Sequence, residues 1–136
     1  MKASNYILTI VVFISVCFIL NCRDSKPKPP DLSNIDLLRG DLIMCSGKEF
    51  GDVSFSLSCN YSVRETFDLA ISLLHSFEYD EAEKAFVKVI DADPACAMAY
   101  WGVAMSIYHS LWEPPNATQL EKGAKILKVA ESLPKS

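Results

Sequence analysis

His75-Ser76-Phe77 recurs as His109-Ser110-Leu111, an offset of 34 residues. Carried back along the chain, the offset sets Phe67 against Trp101, Leu69 against Val103, Ala70 against Ala104, Ile71 against Met105 and Leu73 against Ile107. Small residues meet small ones, and bulky apolar residues meet bulky apolar ones. This self-similarity constrains the fold more than composition does. Each unit is one supersecondary element that cannot bury its apolar face alone, so successive units must stack.

A period of 34 residues is that of a helix–turn–helix unit. The stretch "FDLAISLLHSFEYDEAEKAFVKVIDADP" places Leu69, Ala70, Leu73, Tyr79, Ala82, Phe86 and Pro94 at large, small, aromatic and proline positions. In this it resembles the tetratricopeptide repeat (TPR) family, with Ala82, Phe86 and Pro94 the most specific part. Val89 stands where the family usually has Ala, and Phe77 where it often has Gly. The second unit opens with Tyr100, Val103, Ala104 and Ile107 and is then interrupted by "LWEPPNATQ". Pro114 and Pro115 end its first helix, expected near Trp112. Gly123, Leu127 and Ala130 then repeat the spacing of Ala82, Phe86 and Val89 at an offset of 41, so the second turn carries a seven-residue insertion.

The expected fold is all-α: a TPR-like solenoid of two repeats, residues 62–95 and 96–134. Ser62 with Glu65, and Thr118 with Glu121, read as capping boxes at helix starts. Asp93-Pro94 ends the helix between them. The sequons "NYS" and "NAT" at 60 and 116 also sit at helix starts, and that is the reading given to them. In the helix "DEAEKAFVKVIDA", Ala82, Ala85, Phe86, Val89 and Ile90 form the buried stripe. Glu81, Glu83, Lys84, Lys88 and Asp91 are expected to form a solvated face.

The resemblance implies a concave groove lined by first helices. Its positions fall on Arg64, Phe67, Ile71, Leu74 and His75 in the first unit, and on Met98, Trp101, Met105, Tyr108 and His109 in the second. The same resemblance implies that this groove takes a peptide or a partner helix, held by apolar anchors in its middle. The larger likeness is to exported bacterial TPR proteins of unassigned function, which are generally longer. Two repeats are fewer than a solenoid normally needs. The expectation is therefore a piece of a longer repeat protein, or a chain that pairs with another and self-associates.

Ahead of the repeats lie three other segments. "YILTIVVFISVCFIL", residues 6–20, is an apolar run of 15, short of the roughly 20 that span a bilayer and typical of an export signal. The cysteine that follows, Cys22 after "ILN", resembles the lipobox of bacterial lipoproteins, although Asn21 stands where a small residue is usual. Residues 1–22 thus read as a lipoprotein-type signal with Cys22 as the lipidated residue. Cleavage without lipid, or an uncleaved anchor, are the alternatives. Residues 23–41 include "SKPKPPDLSN", which cannot form a helix or a central strand and reads as a flexible tether. Residues 42–61 lack helical periodicity, and "VSFSLS" alternates apolar and polar residues. They read as an irregular cap over the flank of the first repeat. The expected location is the bacterial cell envelope, with the membrane reached through the amino-terminal lipid alone.

Charge narrows the partner. Without residues 1–22 the chain keeps twelve basic and seventeen acidic residues, a net charge of −5. That opposes nucleic-acid binding, which wants a basic patch, and a charge-driven grip on anionic lipid.

Five cysteines divide unevenly, with Cys17 inside the signal and Cys22 at its end. Among Cys45, Cys59 and Cys96, an exported domain favours one bridge. Cys45–Cys59 would close a short loop and is the favoured pair. Cys59–Cys96 is the alternative, because both residues precede the starts of neighbouring parallel helices. The absence of CxxC, CxxCH, a Gly-rich phosphate loop and GxSxG points away from haem attachment, thiol redox work and hydrolase chemistry. The reading is a binding module that is not an enzyme and has no cofactor. A rival reading uses His75 and His109, the only histidines. They share one slot on helices about 8–10 Å apart and could meet around a metal. Zinc usually wants three or four protein ligands, so Met105, Cys96 or Glu113 would have to complete the set. The alternative is that each histidine bonds a backbone carbonyl near its helix end.

Overall fold

A computed structural model describes residues 28–43, 51, 53–109, 111 and 113–134. The proposed signal, Cys22 and Cys45 lie outside the described residues. Four α-helices follow a 3-10 turn at Tyr61–Val63: α1 (Arg64–His75), α2 (Tyr79–Ala92), α3 (Ala97–Tyr108) and α4 (Ala117–Glu131). The described residues contain no strand, and the chain is all-α over that range. Helices adjacent in sequence pack on each other, and α1 also touches α3.

The 3-10 turn that leads into α1 and helix α4 each begin on an asparagine, two residues earlier than the capping boxes read from sequence. The Asn60 side chain accepts from the Ser62 backbone N–H at 3.0 Å and from the Ser62 hydroxyl at 2.9 Å. That leaves Ser62 as a donor rather than a cap. At α4, Asn116 accepts from the Gln119 N–H while the Gln119 side chain accepts from the Asn116 N–H, a complete capping box. Asn116 directly follows the Pro114-Pro115 pair, so α4 starts as soon as the prolines allow.

The helix ends also have local causes. α1 closes with Phe77 at φ 65°, its N–H donating to Leu74 O, while the Glu78 N–H donates to Leu73 O. This is a Schellman end, with a phenylalanine where glycine avoids the left-handed strain. α2 stops at Ala92, ahead of Asp93-Pro94 as expected. α3 stops at Tyr108, four residues short of Trp112. His109 leaves the helix and ties down the link to α4 instead.

The buried stripe of α2 is the expected one: Ala82, Ala85, Phe86 and Val89 are inaccessible and Ile90 nearly so. Its charged face is solvated only in part: Lys88 and Asp91 are exposed and Lys84 half-buried, but the two glutamates are not. Glu81 and Glu83 are 8% and 4% exposed. Residues 28–43 lie along this helix as a strap, so the described part of the segment read as a flexible tether is packed. Ile35 is buried, and Leu32, Leu37 and Leu42 pack against the core. The strap's backbone needs acceptors, and the two carboxylates supply them. The Leu38 N–H donates to Glu83 Oε1 and the Ile43 N–H to Glu81 Oε2, both at 2.8 Å. Lys122 of α4 donates to the same Glu83 oxygen at 2.7 Å, which joins strap, α2 and α4 at one charge. Lys84 pairs with Glu81, and Arg39 of the strap pairs with Asp91.

Residues 53–59, ahead of α1, pack in part against the core. Phe55 stacks on Phe67 with ring centroids 5.7 Å apart, and Phe67 in turn meets Phe86 at 5.5 Å. Cys59 is bonded to Cys96, with Cα atoms 5.0 Å apart. This replaces the favoured Cys45–Cys59 pairing with its alternative. The reason is the stacking itself, which brings the start of α3 beside the start of α1. The Asn60 N–H reaches the Asp93 carboxylate at 2.8 Å across the same junction.

Tyr100 anchors α3 beside this junction. It is fully buried, and its hydroxyl donates to the Pro94 carbonyl at 2.9 Å. Burial, and then the charges of Asp93 and Asp91, push its pKa up to about 12. The folded state therefore holds this proton more tightly than the unfolded chain, whose tyrosines titrate near 10. Tyr100 contributes stability below pH 10 that is lost as pH rises from about 10 to 12. Denaturant melts across that range are expected to show this loss in the native chain and a flatter profile in Tyr100→Phe.

Candidate functional site

Helix α3, "AMAYWGVAMSIY", is apolar on every side except for Ser106. Ser106 is buried, and its hydroxyl donates to the Gly102 carbonyl at 2.9 Å. A helix apolar all round needs neighbours all round. α3 has α1 and α2 on one side and α4 on another. A third side stays open and forms a groove of about 360 Å³.

The groove runs between α3 and α4. Trp101, Ala104, Met105, Ile107 and Tyr108 line one wall; Gln119, Leu120, Gly123, Ala124 and Leu127 line the other, and Pro115 closes an end. Among the described residues, no charged side chain lines it. Met105, Tyr108, Leu120 and Leu127 are 36%, 49%, 51% and 40% exposed. That is a connected apolar surface rather than scattered single residues.

The 34- and 41-residue offsets show what this surface is. One unit earlier, Trp101, Ala104, Met105 and Ile107 correspond to Phe67, Ala70, Ile71 and Leu73, and Leu127 corresponds to Phe86. Those five counterparts are at most 5% exposed. The groove is therefore an uncovered copy of a face that is core in the first unit.

The residues read from sequence as one groove over both units divide accordingly. Trp101, Met105 and Tyr108 line the groove. Phe67 and Ile71 do not: they are buried, with Phe55 of the cap on Phe67. Arg64 is held by the cap, its Nη1 donating to the Phe55 carbonyl at 3.3 Å and its guanidinium 5.9 Å from the Tyr61 ring. Leu74 and Met98 pack partly buried against the core. The α4 wall is not among the expected positions, because the resemblance implies a groove lined by first helices. Its signal is present: Leu120, Ala124 and Leu127 are spaced i, i+4, i+7. This is a second apolar stripe beside the one formed by Ile126, Val129, Ala130 and Leu133, which packs on the core.

His75 is exposed at the last turn of α1. His109 is occupied at both ring nitrogens. Nδ1 lies 3.1 Å from the Glu113 carbonyl and Nε2 lies 2.9 Å from the Gln119 side-chain nitrogen, while the ring packs on Tyr79 at 5.5 Å. A carbonyl only accepts, so Nδ1 carries the proton and Nε2 accepts from the amide. His109 thus acts as a clasp on the α3–α4 link. Among the described residues, one group of three potential ligands lies close enough to hold a metal: Cys59, Asp93 and Cys96. Two of these are joined in the disulfide. Neither histidine belongs to such a group.

No family model matches the sequence, and no curated protein or solved structure matches the chain. Among the described residues, no helix is long and apolar enough to cross a membrane.

Proposed function

We propose that this chain is a protein–protein interaction module of TPR type that receives a partner segment in the α3–α4 groove. In this reading it is lipid-anchored through Cys22 at the bacterial cell envelope. It works by binding alone, without catalysis. One observation carries the proposal: an apolar groove, with no charged side chain among its described residues, of which five positions are buried core one unit earlier. The 34-residue period and the helix–turn–helix pairs support the TPR part. The signal-like run and Cys22 support the anchor.

The rival metal-binding reading loses support at His109, because both of its nitrogens already serve the α3–α4 link. A groove of this character favours partners with apolar anchor residues.

The test uses the soluble part, residues 23–136, and a panel of short helical and extended apolar peptides, followed by labelled-peptide anisotropy. The expected result is saturable binding that is at least tenfold weaker in the double variant Leu120→Glu, Leu127→Glu. Binding by no peptide, or binding indifferent to both substitutions, overturns the proposal.

A further inference from the structure

We infer that the occupant of the groove is an apolar helix, and that it presents glycine or alanine to Leu127. This rests on the binding reading above and narrows it from any apolar peptide to one kind of partner.

The backbone gives the first reason. An extended peptide brings N–H and C=O groups that need partners once buried, whereas a helix satisfies its own. The groove is lined almost wholly by apolar groups; among the described residues its polar side-chain groups are the Gln119 amide, the Tyr108 hydroxyl and the Trp101 indole N–H. The Gln119 amide is already committed to His109 and to the Asn116 N–H. An extended ligand would bury its backbone against a surface with almost nothing to bond it.

Continuity with the packing already present gives the second. The face formed by α1 and α2 is covered by a helix, α3. The contact there is specific for glycine: a Cβ on Gly102 would lie 2.3–2.5 Å from the ring of Phe86. That ring is fully buried, so it has no free space to move into. Leu127 stands on α4 where Phe86 stands on α2, and it points into the open groove. The next helix must meet Leu127 as α3 meets Phe86, with a residue that has little or no side chain. A second copy of this chain is a poorer occupant. Its own α3 is already packed against α1, α2 and α4, and on its free face Gly123 and Ala124 are flanked by the bulky Leu120 and Leu127.

The probe is a helix-stabilised, lysine-flanked peptide with the sequence of residues 97–108, measured against residues 23–136. The expected result is saturable binding, at least tenfold weaker for the same peptide carrying Gly102→Leu, and lost in the Leu127→Arg protein. If the two peptides bind equally and both need Leu127, the small-residue requirement is wrong while the groove reading stands. If extended peptides bind more tightly than helical ones, the helix inference is wrong. If nothing in either panel binds, the groove reading itself fails. A concentration-dependent dimer that Leu127→Arg abolishes would make a second copy the occupant and overturn the inference.

Discussion

Replacing both Cys59 and Cys96 with serine is expected to lower the unfolding free energy by about 4 kcal/mol. The bond spans 37 residues and holds nearly the whole first unit in one loop. Closing a loop of that length removes much of the freedom of the unfolded chain. It also fastens a segment with few other ties. The described residues of the cap ahead of Tyr61 form no regular structure, and their polar links include the Ile43 bond to Glu81, the Arg64 bond to the Phe55 carbonyl and the Asn60 bond to Asp93. Without the disulfide, the cap is held by Phe55 against Phe67 and by Val53 and Leu57 against the core. Urea melts of the double variant, or of the native chain with a strong reductant, measure the effect. A loss below about 1 kcal/mol would mean that the cap's apolar contacts suffice and that the bridge constrains little.

Gly102→Leu is expected to destabilise by about 3 kcal/mol, with Gly102→Ala losing roughly half as much. Glycine is a poor helix residue, so alanine at an open helical site would gain up to about 1 kcal/mol. Here that gain is overrun. The added carbon falls on the Phe86 ring, which is also in contact with Phe67. Relief would require the ring to leave the core, or α3 to move away from α2. Thermal melts of both variants check the ordering. A stabilised alanine variant would show that the α2–α3 contact is looser than the geometry states, and would weaken the argument for a small residue opposite Leu127.

Much of the helical layout is legible from particular residues. Ala82, Ala85, Phe86, Val89 and Ile90 announce the buried side of α2 by their spacing, and Pro94 announces its end. What escapes is what covers those helices. Glu81 and Glu83 look like surface charges until the backbone N–H groups of Leu38 and Ile43 are seen to end on them. No local pattern links a proline-rich segment to carboxylates about 40 positions later. Phe67 and Ile71 look like groove residues because the cap that covers Phe67 is irregular, and its packing is set by Phe55 and the disulfide. The choice between Cys45 and Cys96 as partner of Cys59 depended on tertiary stacking, which spacing alone does not decide. Half of the groove, Trp101, Met105 and Tyr108, was legible. The other half needed α4 to be seen as carrying two apolar stripes.

The proposed binding face lies between α3 and α4, not across the first helices of both units. Hydrogen–deuterium exchange of residues 23–136, with and without a saturating groove-binding helical peptide, tests it most directly. Slowed exchange is expected in residues 97–131, with little change in residues 53–75. Slowing concentrated in residues 53–75, with α4 unaffected, would return the site to the face now covered by the cap and contradict the account.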